Sequence, residues 1–171
     1  MADKAVKKIE SKPYFLADEE LRNTIESLFY AYRDFTGIAD AILKEFGFGR
    51  AHHRVIYFVG AYPSITVTEL LDILKITKQS LSRVLSVLIL EDFIIQRKQN
   101  ADRRRRHLFL SKKGVELEYK LTKCQSHWIG GAYLEAGPNA VKGFEVVLRG
   151  IINKDDRKKI KLSFNLPSVA K

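Results

Sequence analysis

Apolar positions recur along this chain in blocks at helical spacing, separated by turn residues. Leu21, Ile25, Leu28, Tyr32, Phe35, Ala39, Ile42, Leu43 and Phe46 predict one long helix over 18–46, with Gly37 as a place where it can bend. Gly47-Phe48-Gly49 breaks it. Arg50 to Tyr62 then predicts a short helix that buries Val55, Phe58 and Val59 and stops at Pro63. Val67, Leu70, Leu71 and Leu74 line one face of the next helix. Thr66 opens it, because its hydroxyl can cap free amides while Glu69 reaches back in a capping box. The turn Leu74-Lys75-Ile76 leads to Thr77, a second cap. Beyond it Leu81, Val84, Leu85 and Leu88 form a buried stripe at i, i+3, i+4 and i+7.

The period then changes from helix to strand. Ile94 and Ile95 lead into Gln96-Arg97-Lys98, Gln99-Asn100-Ala101-Asp102 supplies turn chemistry, and Arg106-His107-Leu108-Phe109-Leu110 returns with alternating character, which predicts a hairpin. Ser111 caps a helix running to about Glu135, whose seam of Leu117, Leu121, Cys124 and Trp128 suits a core or a dimer interface. Gly130-Gly131 weakens that helix near its end. Gly137-Pro138-Asn139 separates it from a last helix, Ala140 to Ile152, with Val141, Phe144, Val147, Leu148 and Ile151 apolar.

The expected fold is mainly α with a small β-hairpin wing: a winged helix-turn-helix domain plus a helical dimerisation region built from both chain ends. The expected organisation is a basic flexible arm over 1–17, an N-terminal dimerisation helix over 18–46, the winged helix-turn-helix domain over 47–110, C-terminal dimerisation helices over 111–153 and a basic tail over 154–171. Three long apolar stripes exceed what one small winged domain can cover, so a two-fold homodimer is expected.

Composition narrows the class of partner. The chain has 171 residues, 46% of them hydrophobic, enough for one core or two small ones. Thirty Lys and Arg against twenty Asp and Glu leave a formal charge of +10, which favours nucleic acid or an anionic surface. No apolar run approaches the length of a membrane span and the Met1-Ala-Asp-Lys start is not a signal peptide, so a cytoplasmic location with no membrane partner is expected. Cys124 is the only cysteine, which rules out an intrachain disulfide, and its place on an apolar seam suits a buried thiol. His52 and His53 are adjacent and point about 100° apart on a helix, which suits packing and hydrogen bonding better than metal chelation. No nucleotide-binding glycine loop, paired metal ligands or nucleophile elbow occurs, so neither a catalytic site nor a metal or other cofactor is expected, and the chain reads as a non-enzyme.

The candidate chemistry lies between Thr66 and Ser111. Opposite the buried stripe of the second helix stand Lys78, Gln79, Ser82, Arg83 and Ser86, with Thr77 and Ser80 at its N-terminus. Such side chains can hydrogen-bond base edges and phosphates in a major groove. A solvated surface helix would carry the same face, and what decides between the two is the capped partner helix before it and the hairpin after it. In that hairpin Arg97, Lys98, Arg103, Arg104, Arg105 and Arg106 surround a single acid, Asp102. A tip this basic suits phosphate and minor-groove contact. A DNA architectural or RNA-binding protein without sequence preference would be equally basic, but it needs only Lys and Arg, whereas Gln79, Ser82 and Arg83 can also read bases.

Thr66-Val67-Thr68-Glu69-Leu70, the run from Thr77 to Arg83, and Asp102-Arg103-Arg104 followed by Leu108-Phe109-Leu110-Ser111-Lys112-Lys113-Gly114 resemble the MarR family of bacterial transcriptional regulators. The resemblance extends over roughly residues 20 to 150. It implies a homodimer with one winged helix per subunit, bound to a pseudo-palindromic operator on double-stranded DNA, most commonly as a repressor. It also implies that Asp102 orients the wing by pairing with Arg104. A small-molecule effector would occupy a crevice between the dimer helices and the winged domain, for which Phe29, Tyr32, Tyr57, Phe58 and Trp128 are the candidate lining. Two residues depart from the family pattern. Lys75 stands in the turn where relatives often have Gly, so a left-handed lysine is expected there. Phe93 stands where many have Gly before the wing.

Overall fold

The computed structural model describes residues 18–99 and 102–158, without the side chains of residues 98, 99 and 102–105. The proposed arm over 1–17, the tip at Asn100 and Ala101, and the tail beyond Lys158 lie outside the described residues.

Helix α1, Asp18–Lys44, opens on Asp18, Glu19 and Glu20 and closes on Lys44, each charge opposing the partial charge of its helix end. It runs through Gly37 and stops two residues short of the expected Phe46. The cause is Gly47 at φ 67, which turns the chain so that the Phe48 N–H reaches the Leu43 carbonyl at 2.9 Å. By its contacts the chain divides after Gly37 into two units. In the first, the described residues are the N-terminal part of α1, on which Ile25, Leu28, Phe29 and Tyr32 are exposed.

The second unit holds the remaining elements: α2 (Arg50–Ala61), β1 (Ile65–Thr66), α3 (Val67–Leu74), α4 (Lys78–Leu90), β2 (Ile94–Gln99), β3 (Asp102–Leu110), α5 (Lys112–Ile151) and α6 (Lys154–Arg157). Its core joins Ala39 and Leu43 to Val55, Ile56 and Val59 of α2, Leu70 of α3, Leu81, Leu85 and Leu88 of α4, Phe93, Ile94 and Leu108 of the wing, and Leu117 and Leu121 of α5. Ile56 was not among the expected core residues of α2, and Phe58, which was, is only partly buried. Phe93 is 1% exposed, and the left-handed residue before the wing is its neighbour Asp92, at φ 55. Asp tolerates that conformation better than Phe.

The three strands pair antiparallel in the order β1-β3-β2. β1 is a strand that the sequence pattern does not predict. Ile65 pairs with Leu108 and Thr66 with His107, so Thr66 both ends a strand and caps α3.

α5 consists of two helical segments, the first ending close to the expected Glu135. At Gly137 the backbone leaves the helix, with φ 79 and ψ 166, and Pro138 restarts it, so two helices abut with no loop between them. The predicted seam is buried at Leu117 and Leu121 and half-buried at Cys124, whereas Trp128 is exposed. Val141 is buried in the second segment, while Phe144, Val147 and Ile151 face outward. At the start of the expected basic tail, Asn153 caps the short α6. Arg157 folds back to donate to the carbonyls of Ile152 and Gly150, each at 2.6 Å, and so satisfies the end of α5. Among the described residues no helix is long and apolar enough to cross a membrane.

Candidate nucleic-acid interface

The α3–α4 pair forms as its caps dictate. Thr66 Oγ accepts the Glu69 amide at 3.3 Å, and Glu69 returns the contact by accepting the Thr66 amide at 2.8 Å. Lys75 carries the turn at φ 53, ψ 39, the left-handed conformation expected of it. Thr77 then caps α4: its Oγ accepts the Ser80 amide at 3.1 Å while its hydroxyl donates to Ser80 Oγ at 2.9 Å.

With Leu81, Leu85 and Leu88 buried, the opposite side of α4 is turned outward. Thr77, Lys78, Gln79, Ser80, Ser82 and Arg83 are all exposed, and Lys78, Gln79, Ser82, Arg83, Ser86 and Val87 line one open depression on the surface. Val87 is an addition to the predicted face. Its spacing of three from Val84 suggests core, yet it is 40% exposed and stands one turn beyond Arg83.

The wing holds two of the predicted cations in defined places. The Arg97 guanidinium lies over the Phe109 ring, 5.4 Å from its centre, and Arg106 Nη1 donates to Gln96 Oε1 at 3.3 Å. Arg97 pairs in register with His107 and Lys98 with Arg106, so alternation puts Arg97 and Arg106 on opposite faces of the hairpin. The side chains of Lys98, Asp102, Arg103, Arg104 and Arg105 lie outside the described residues, and with them the expected pairing of Asp102 with Arg104.

The base of the wing is bound to the helices on both sides. Ser111 Oγ donates to the Asp92 carbonyl at 2.5 Å and accepts the Gly114 amide at 3.0 Å, which caps α5. Lys113 reaches the Glu91 carbonyl at 2.8 Å and covers the Phe93 ring at 4.1 Å, so the end of α4 is tied to the start of α5.

Of the aromatic residues proposed for a crevice, Phe29 and Tyr32 belong to the first unit and are exposed. In the second unit Tyr57 and Trp128 are exposed, and Phe58 packs on the core and stacks on Tyr62. Of the adjacent histidines, one is seen to stack and hydrogen-bond and the other is buried. His52 stacks on Phe48 and accepts the Gly49 amide at 3.2 Å, and His53 is 8% exposed.

Sequence and structure comparisons with known proteins point the same way. The family model described as "MarR family" matches residues 46–105. The chain is 47% identical to the HTH-type transcriptional regulator PetP of Rhodobacter capsulatus over 139 residues, 81% of this chain and 84% of that protein. Among solved structures, FabT of Streptococcus pneumoniae in complex with DNA superposes with a TM-score of 0.66 at 19% identity, over 74% of this chain and 92% of the other. A MarR transcriptional regulator from Methanosarcina mazei superposes with a TM-score of 0.64 at 22% identity, over 84% and 99%.

Proposed function

Since this chain belongs to the MarR family of transcriptional regulators, we propose that it binds double-stranded DNA as a homodimer, reading a pseudo-palindromic operator with α4 and gripping the backbone with the wing. The observation that carries this is the face of α4. Gln79, Ser82 and Arg83 stand together around one depression, outward and opposite the buried Leu81, Leu85 and Leu88, as direct readout of base edges requires. A binder that used charge alone would need neither Gln79 nor Ser82.

Thr77, Lys78 and Ser80, at the N-terminus of α4, suit nearby phosphates. Arg97, Lys98 and Arg103 to Arg106 form the clamp, with Asp102 as the residue that orients it. The homodimer is supported by the apolar side chains that the single chain leaves outward at both ends: Ile25 and Phe29 on α1, and Leu134, Val146 and Ile151 on α5. A stable monomer at micromolar concentration, measured by light scattering, would refute it. Repression, and release by a small-molecule effector, complete the proposal on family resemblance, with Tyr57 and Trp128 as the first side chains to substitute.

The decisive experiment titrates Gln79→Ala and Arg106→Ala on a duplex selected from a random pool and on its scrambled counterpart, at several salt concentrations. Gln79→Ala is expected to weaken the selected duplex by about 1 to 3 kcal/mol and the scrambled one much less. Arg106→Ala is expected to weaken both and to lower the salt-dependence slope by about 0.9 for each phosphate no longer neutralised. Equal weakening of both duplexes by Gln79→Ala would remove α4 as the reader.

A further inference from the structure

Ser64 sits between α2 and β1 at φ 73, a left-handed conformation that a serine adopts only when its surroundings hold it. Strand β3 supplies those surroundings. The Ser64 amide donates to the Leu108 carbonyl at 3.2 Å. His107 Nδ1 lies 2.8 Å from the Ser64 carbonyl oxygen and 3.0 Å from its Oγ. A carbonyl can only accept, so Nδ1 carries a proton and shares it between the two oxygens. Protonation at Nε2 would leave the Nδ1–H donor in place.

This contact joins the two halves of the proposed interface. Ser64 lies two residues before the cap of α3, the helix that leads through the Lys75 turn into α4. His107 lies one residue after Arg106, and in register it faces Thr66 on one side and Arg97 on the other. The strand pairing along this edge is only two residues long, Ile65–Thr66, and so short a ladder is weak by itself.

We propose that His107 is a positioning residue for DNA binding: its Nδ1–H, donated to Ser64, latches the wing to the helix-turn-helix and thereby sets where Arg97 and Arg106 meet the DNA backbone. The inference rests on the wing being a phosphate clamp, and the experiment separates the two claims. His107→Leu keeps bulk and strand preference but removes the donor. His107→Asn keeps a donor, the side-chain amide, close to the position of Nδ1.

In the full-length protein without DNA, hydrogen exchange at the Arg106 and Leu108 amides is expected to speed up in His107→Leu and to return toward wild type in His107→Asn. Nitrogen-15 spectra of the wild-type ring are expected to show the Nδ1–H form, a measurement that needs no variant to fold. On duplex DNA, His107→Leu is expected to lower the salt slope by about 0.9 for each phosphate that the displaced wing no longer reaches, while preserving preference for the selected over the scrambled duplex. His107→Asn should restore the slope. A ring with no proton on Nδ1, or unchanged exchange in His107→Leu, overturns the latch. Faster exchange with a wild-type salt slope overturns the positioning role. If Arg106→Ala and Arg97→Ala also leave the slope unchanged, it is the clamp that falls, and the DNA role of His107 falls with it.

Discussion

Thr66 and Glu69 cap each other through one carboxylate oxygen. Glu69 Oε2 accepts both the amide of Thr66, at 2.8 Å, and its hydroxyl, at 2.7 Å, while Thr66 Oγ accepts the Glu69 amide at 3.3 Å. Thr66→Val keeps the strand shape that β1 needs and removes only the oxygen. It is expected to lower stability by about 1 kcal/mol in urea unfolding. Glu69→Ala should cost much the same, and the double variant less than the sum of the two, because either substitution alone already breaks the reciprocal bonds. Strict additivity would show that the two residues do not act as a unit.

Glycine is the only residue that fits at position 114, in the first turn of α5. A Cβ on Gly114 would lie 2.1 Å from the Phe93 carbonyl oxygen and 3.3 Å from Leu110 Cβ. That carbonyl cannot swing away freely, since it accepts the Ser111 amide at 3.0 Å. In an open helix interior, Gly→Ala gains about 1 kcal/mol. At this position Gly114→Ala is expected to lose about 1 to 3 kcal/mol, with part of the cost appearing as a displaced wing. A stabilised Gly114→Ala protein would mean that α5 and Phe93 are not packed this closely.

The opposite sign is expected at Lys75. Its left-handed backbone costs about 1 kcal/mol relative to glycine, while its ion pair with Asp72, 2.7 Å long and more than half exposed at both ends, contributes little. Lys75→Gly should therefore raise stability by about 0.5 kcal/mol once the greater freedom of glycine in the unfolded chain is deducted. Loss of stability on that substitution would show that the Lys75–Asp72 pair outweighs the strain.

These cases show which features a single sequence makes legible. The caps at Thr66, Thr77 and Ser111 are local: a short side-chain oxygen bonds an amide three residues on, so each is visible within four letters. The buried stripe of α4 and the bulk of its outward face follow from periodicity in the same way. β1 is not visible, because Ile65 and Thr66 form a strand only by meeting Leu108 and His107 far along the chain. For the same reason the Ser64–His107 contact leaves no mark in either local pattern. Val87 is misleading in a different way: it is apolar and near the stripe, and only the orientation of α4 against Phe93 and β2 turns it outward. Arg157 reads as one more charge in a tail until the end of α5 is present for it to cap.

Burial holds His53 below its ordinary value of 6.5, with Asp40 and Glu118 raising it in partial compensation and Arg54 lowering it further. His52 is displaced in the same direction, again by burial. A histidine whose folded value is depressed takes up its proton more readily in the unfolded chain. Its contribution to stability is therefore complete above about 6.5 and is lost as the pH falls through that value toward the folded one. Unfolding free energy should decline as the pH falls through 6.5, with a limiting slope of about 1.4 kcal/mol per pH unit for each proton involved. His53→Gln is expected to flatten part of that decline whatever it does to stability at higher pH, because glutamine does not titrate, and His52→Gln should flatten the remainder. An undiminished slope in the double variant would place the titrating group elsewhere in the chain.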